Sequence, residues 1–279
     1  VVGQGAKPGT GGMLMGIKVQ GDVAEMRDLP QGIDQRSPAR HPDWLGPDDL
    51  AVKIEQIREA TDWRVPVHVK LGACRVDDDV KLAAKAGADA IVIDSMVAGT
   101  GASAEVLIEH SGIPTVPAIV MAREALRELG LYGKVSLIAS GGIRHGADAA
   151  KALALGADAV AIGLGALIAL NCNKEIPESN FPEEIGVEAG LCHHCHTGKC
   201  PVGIATQDPL LTQRLDPDEG AERVANYINS MTMEMTLLTR SLGKSDVHSL
   251  EPEDLAALTL EASAMARIPL VGTNKVFGE

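Results

Sequence analysis

Apolar residues in the middle of the chain come in short unbroken runs, separated by stretches with helical spacing. The runs are Val65 to Leu71, Ala90 to Asp94, Val135 to Ala139 and Ala159 to Ile162. They are continuously apolar rather than alternating, as strands buried on both faces of a parallel sheet require. The helical stretches are Asp48 to Thr61, Val80 to Ala86, Ala122 to Leu129 and Ala147 to Leu155. Pro47 stands at the head of the first, and Gly87 and Gly156 stand where helix-ending glycines belong. Two tracts, KLAAKAGADAIVID and KALALGADAVAIG, repeat one helix–Gly–Ala–Asp–strand design. The rhythm is that of βα units. With Val1-Val2 read as part of another buried strand, the pattern predicts five strands, whereas a closed (β/α)8 barrel has eight. The expectation is an α/β fold, the later half of a TIM-type (β/α)8 barrel whose earlier strands lie upstream. A doubly wound open sheet is weaker, because no G-x-G-x-x-G follows a first strand. Residues 1–47 read as loop-rich with little helical periodicity, and residues 171–279 start irregularly and finish as amphipathic helices.

Composition narrows the function classes. Of 279 residues, 45% are hydrophobic and 23% charged, enough to bury a core and too apolar for a disordered chain. A formal charge of -13 opposes phosphate backbones and anionic membrane surfaces, and aromatics at 2% leave few platforms for bases. No nucleic-acid partner is expected. No run approaches the roughly 20 apolar residues of a membrane helix, so no membrane partner is expected either. The opening VVGQGAKPGTGG lacks the basic and apolar regions of a signal peptide and has no initiator Met, so the chain reads as a fragment or processed piece. Five cysteines, three of them crowded, fit a reducing cytoplasm and a metal site better than disulfides.

The chemistry concentrates at predicted strand ends. Ser140-Gly141-Gly142-Ile143-Arg144 follows one strand, and Ile162-Gly163-Leu164-Gly165 follows the next. Glycines there let backbone N–H groups approach an anion, and the last two loops of a βα barrel are where a cofactor phosphate sits. Lys70, near the end of its strand, would face the barrel mouth and hold a flavin or a substrate oxyanion. Gly99-Thr100-Gly101-Ala102-Ser103 reads as another mouth loop. The opening Gln4-to-Gly12 loop resembles a phosphate cradle without the Walker pattern, and its Lys7 suits a carboxylate. Cys192-His-His-Cys195-His-Thr-Gly-Lys-Cys200-Pro201 offers three thiols within nine residues, with Cys172 upstream. Spacing leaves an iron–sulfur cluster and a closed Cys/His zinc site both open. Cys74 reads as an inert thiol.

In this order, Gln4-Gly-Ala-Lys-Pro-Gly-x-Gly-Gly, Val69-Lys70-Leu71, Gly99-Thr-Gly-Ala-Ser103, Ser140-Gly-Gly142, Ala166-Leu-Ile-Ala-Leu170 and Cys195-His-Thr-x-x-Cys-Pro-Val-Gly-Ile-Ala-Thr-Gln-Asp-Pro209 resemble the FMN-binding synthase domain of glutamate synthase. The resemblance covers roughly residues 3–215. It implies a (β/α)8 barrel holding FMN and an iron–sulfur cluster, which aminates 2-oxoglutarate and reduces the imine to glutamate. It also implies roles for single residues. Lys7 and Arg27 would bind the substrate carboxylates, and Lys7 and Lys70 would be the catalytic cations. Lys70, Ser95, Gly99, Thr100, Gly101, Gly141, Gly142, Gly163 and Gly165 would contact the flavin. Cys172, Cys192, Cys195 and Cys200 would hold the cluster, [3Fe-4S] with three ligands or [4Fe-4S] with four.

Two departures stand out. Met13 replaces the family's usual Gln, and residues 173–191 separate Cys172 from the other thiols. Both resemble the flavin subunit of N-methylglutamate synthase, in which methylamine replaces ammonia and glutamate is a substrate. The implied organisation is a synthase barrel in 1–170, a cluster segment in 171–215 and a helical extension in 216–279. The implied partners are a glutaminase-like chain and other synthase subunits in a hetero-oligomer. An electron-transfer or scaffolding subunit without its own substrate site is the competing expectation.

Overall fold

Residues 1–47 hold more structure than a loop-rich reading allows. In the computed structural model, which describes residues 1–5, 7, 11–38, 41–100, 103–176 and 195–278, two short strands lie in this region. β1 (Met13–Leu14) pairs antiparallel with β2 (Gln35–Arg36), enclosing the helix α1 (Gly21–Arg27). Strands of two residues carry no periodicity, and a seven-residue helix carries little. Val1 and Val2 are exposed, and they add no ladder strand to the sheet. Instead the N–H groups of Val2 and Gly3 both donate to the Lys70 carbonyl, at 2.9 and 3.1 Å. Two donors sharing one acceptor make an edge contact rather than a strand, so the expected five strands are corrected to four in the parallel sheet among the described residues.

The four apolar runs do form that sheet. The helix α2 (Pro47–Ala60) precedes β3 (His68–Gly72), which starts three residues late because Pro66 has no N–H for a ladder. α3 (Val76–Lys85) starts four residues early, its first turn carrying Asp77, Asp78 and Asp79, which suit a helix N-terminus. β4 (Ala90–Asp94) keeps its expected bounds. The connection that follows contains α4 (Glu105–His110) and α5 (Thr115–Glu128). Pro117 sits in the first turn of α5, where a missing N–H costs nothing, so the helix extends seven residues further back than its apolar spacing shows. β5 (Ser136–Ser140), α6 (Gly146–Ala154), β6 (Ala159–Ala161) and α7 (Leu164–Ala169) complete the unit.

All neighbours in the order β3-β4-β5-β6 are parallel. The register sets Gly72 opposite Asp94, Asp94 opposite Ser140 and Ser140 opposite Ala161, so the C-terminal strand ends lie in line. Ile91, Ile93 and Leu137 of the sheet pack with Val80, Ile119 and Leu126 of the helices in one buried cluster. Each such side chain contributes about 1.5–3 kcal/mol by leaving water.

The C-terminal part is helical, as its amphipathic spacing predicts. α8 (Pro209–Thr212) is followed by α9 (Pro217–Ser241) and α10 (Leu260–Ala266). Asp216 caps α9 by accepting from the Asp218 and Glu219 N–H groups. α9 packs on α6 and α7, and α10 on α5. Met231, Ala257 and Ile268 thereby join the same buried cluster as the sheet. Among the described residues no helix is long and apolar enough to cross a membrane. The architecture is a mixed α/β fold with a four-stranded parallel sheet, compatible with part of a TIM-type fold.

Candidate functional site

The C-terminal strand ends converge on one carboxylate. Asp94, the last residue of β4, is 2% exposed and accepts from three donors. These are the Gly5 N–H at 2.9 Å, the Lys70 ammonium at 2.9 Å and the Ser140 hydroxyl at 2.5 Å. A carboxylate so buried persists only with such partners. Lys70 reaches it because β3 and β4 are in register and alternate residues share a face. The next residue, Ser95, is fully buried, its hydroxyl 2.7 Å from that of Thr115. Thr115 in turn donates to the Gly141 carbonyl at 2.8 Å. A hydrogen-bonded chain thus ties the end of β4 to the loop after β5.

Lys7 enters this cluster from the opening loop. It is buried, and burial pushes its ammonium below the ordinary lysine value; the Lys70 charge adds to the effect and Asp94 opposes it. With both lysines protonated, two cations face one carboxylate, so the cluster is net positive and suited to an anion. The loop comes this close because its glycines lack side chains. A Cβ on Gly5 would collide with the Ser95 carbonyl, and one on Gly3 would lie 3.0 Å from the Gly72 nitrogen. These two glycines serve backbone-on-backbone packing.

The glycine loops differ from one another. Gly141 and Gly142 have φ of 112° and 73°, which side chains rarely adopt. They also lie under the segment after β4: a Cβ on Gly142 would sit 3.1 Å from Val97, and one on Gly141 would strike Ser95. At Gly163 a Cβ would meet nothing within 4 Å among the described residues. Gly163 therefore borders open space at the end of β6, room that a bound cofactor could take. Gly165 is closed off instead by the Tyr227 hydroxyl. Gly99 and Thr100 lie on the loop after β4, where Thr100 donates its N–H to Ser103 at 3.2 Å. Gly101 lies outside the described residues.

Arg27 stands exposed at the end of α1. Met13 lies half-buried in β1. Of the thiols, Cys200 is buried and Cys172 and Cys195 are half-buried, while Cys192 lies outside the described residues. Cys74 is exposed at the end of β3, and burial of its sulfur together with Asp79 raises its pKa, which keeps it a thiol. The cysteine segment rests on the N-terminal region, since the Lys18 ammonium donates to the Cys195 carbonyl at 2.8 Å. The buried Nδ1 of His196 has no hydrogen-bond partner among the described residues. No three His, Cys, Asp or Glu side chains come together as a metal-holding group among those residues. The described part of the cysteine segment alone does not form the expected ligand set.

The expected residues Lys70, Lys7 and Ser95 lie in this cluster, together with Asp94 and Thr115, which were not among those expected. The signal for Asp94 was available: it is an acid closing an otherwise apolar strand.

The family pattern described as "Conserved region in glutamate synthase" matches residues 1–177 and 182–245. A glutamate synthase large subunit-like protein of Rhizobium meliloti is 56% identical over 274 residues, covering 98% of this chain and 62% of the relative. An archaeal glutamate synthase (NADPH) of Methanocaldococcus jannaschii is 44% identical over 250 residues, 89% of this chain and 46% of the relative. The large chain of glutamate synthase (NADPH) from Bacillus subtilis is 34% identical over 245 residues, only 14% of its own length. The chain thus spans about half the length of the archaeal relatives it matches.

Proposed function

The chain belongs to the glutamate synthase family, and from that premise we propose that it forms the FMN-holding later half of a (β/α)8 synthase barrel. On this reading residues 1–170 supply the barrel strands, 171–215 the cluster segment and 216–279 a helical extension. The reaction is reductive amination of 2-oxoglutarate, or formation of N-methylglutamate from glutamate and methylamine. The observation that carries the reading is the cluster at the strand ends, where Lys7 and Lys70 face one buried carboxylate.

Bound FMN would supply the hydride chemistry that turns an imine into an amine. The chain's own residues do the rest. Asp94 holds the Lys70 ammonium at the mouth, where it would neutralise charge on a flavin or an oxyanion. Lys7, in a net positive cluster, binds a carboxylate of the substrate, and Arg27 would take the other by bidentate pairing once it closes on the site. The packing of the Gly3 and Gly5 loop over the strand ends helps to bury Lys7. Backbone groups around Gly141, Gly142 and Gly163 would receive the flavin phosphate, with Gly163 bordering the space it needs. Cys172, Cys192, Cys195 and Cys200 would hold the iron–sulfur cluster.

The test uses Gly163→Val. The structure leaves room for the side chain, so the variant should fold and melt like the parent while losing FMN. Full FMN occupancy in that variant would sink the assignment. Gly142→Val should also yield flavin-free protein, but its contact with Val97 and its φ make it a poorer test.

Met13, standing where the family usually has Gln, favours methylamine, because an apolar side chain suits a methyl group. Assays of the complete enzyme with methylamine and with ammonia decide between them. A second reading, a relay or scaffold whose partner binds the substrate, is favoured by the exposure of Arg27. Turnover that survives replacement of both Lys7 and Arg27 by Ala would establish it.

A further inference from the structure

Helix α9 reaches both glycine loops with one face. Tyr227, Met231 and Glu234 stand at i, i+4 and i+7, a spacing that aligns them. The Tyr227 hydroxyl donates to the Arg144 carbonyl at 2.8 Å, in the loop that follows β5. The same hydroxyl occupies the space beside Gly165, so that a Cβ there would collide with it. One turn on, the Met231 carbonyl fills the corresponding space beside Gly146. Glu234 then accepts the Gly146 N–H at 2.6 Å. A single phenol therefore touches the loop after β5 and the segment after β6, the two loops expected to receive phosphate.

We propose that Tyr227 is a positioning residue that sets the spacing of these two loops for the phosphate of a flavin mononucleotide. The proposal rests on the FMN reading above and gives the helical extension a part in the cofactor site. The hydroxyl is suited to the task because it can donate to one loop while its bulk abuts the other. Burial, Asp148 and Glu234 hold its pKa above the ordinary tyrosine value, which keeps it a donor.

The discriminating measurement is the ratio of FMN to riboflavin affinity, since the two ligands differ only in the phosphate. Flavin-stripped full-length protein and its Tyr227→Phe variant are titrated with each. Loss of one hydrogen bond should weaken FMN by about 3–10-fold and leave riboflavin unchanged. Equal weakening of both, or FMN affinity unchanged, overturns the proposal, because a brace that only stabilises the fold would not single out the phosphate. Gly165→Ala, which displaces the hydroxyl while keeping it, should produce the same FMN-selective loss and carries the test if Tyr227→Phe does not fold. Failure of the underlying reading looks different: the unmodified protein would then bind FMN no better than riboflavin, and Gly163→Val would change neither.

Discussion

Lys7 holds a charge where a neutral side chain would fold more easily. Its pKa is pushed down by burial and by Lys70, so its folded value lies below its unfolded one. Between those two values the unfolded chain binds the extra proton, and stability rises with pH across that window. Lys7→Met, which keeps the bulk and removes the charge, should therefore melt at or above the parent temperature at pH 7. The gap should shrink as pH climbs towards the ordinary lysine value of 10.5. Melting curves across this range check the sign, and a gap that widens with pH would contradict it. The same variant should bind 2-oxoglutarate far more weakly. Removing the charge of Asp94, by contrast, should destabilise the fold. Asp94→Asn keeps one accepting oxygen, enough for the Gly5 N–H, and turns its NH2 towards the Ser140 hydroxyl, which must then accept, while Lys70 loses its counter-charge. The Lys70 side chain is 31% exposed, so the loss should be about 1–3 kcal/mol rather than that of a fully buried pair. Urea denaturation measures it, and an unchanged midpoint would show that the pair adds nothing. Lys70 was legible in the sequence because a cation interrupts an apolar run. Asp94 likewise stands out as an acid closing an apolar run, but its pairing was not legible, because its donor Gly5 lies 89 residues away.

At the scale of elements, the sheet was legible and the helix starts were not. Strands buried on both faces advertise themselves as unbroken apolar runs, and Gly87 and Gly156 mark the ends of α3 and α6. Helix starts depend on first-turn chemistry instead. Asp77 to Asp79 and Pro117 belong inside their helices although none is apolar in a periodic sense. The first turn of α6 is completed from outside its own segment, by Glu234 of α9. Glu234→Ala should accordingly cost about 0.5–2 kcal/mol, the usual worth of a lost helix cap, since Gly146 is buried. A denaturant midpoint that does not move would mean that water replaces the carboxylate at no cost.

At the scale of the whole molecule, residues 1–177 and 182–245 match the family, and a chemical assay reads out the cysteine segment. The purified protein is expected to contain iron and acid-labile sulfide, and Cys195→Ser or Cys200→Ser should remove both. Zinc without sulfide would return the closed Cys/His alternative. What the sequence determined by itself was the set of parts: βα units from periodicity, glycine loops at strand ends, a thiol-rich segment, and a family resemblance carried by ordered motifs. Those features are local, and local chemistry is written in neighbouring residues. Only the tertiary structure decided which parts meet. It turned Val1-Val2 from a strand into an edge contact, separated the open Gly163 from the packed Gly141 and Gly142, and joined Asp94 to Lys70. It also brought Tyr227 from the C-terminal helix to Arg144 and Gly165. Such contacts join residues from 24 to 83 positions apart through shape and desolvation, which no spacing along the chain encodes.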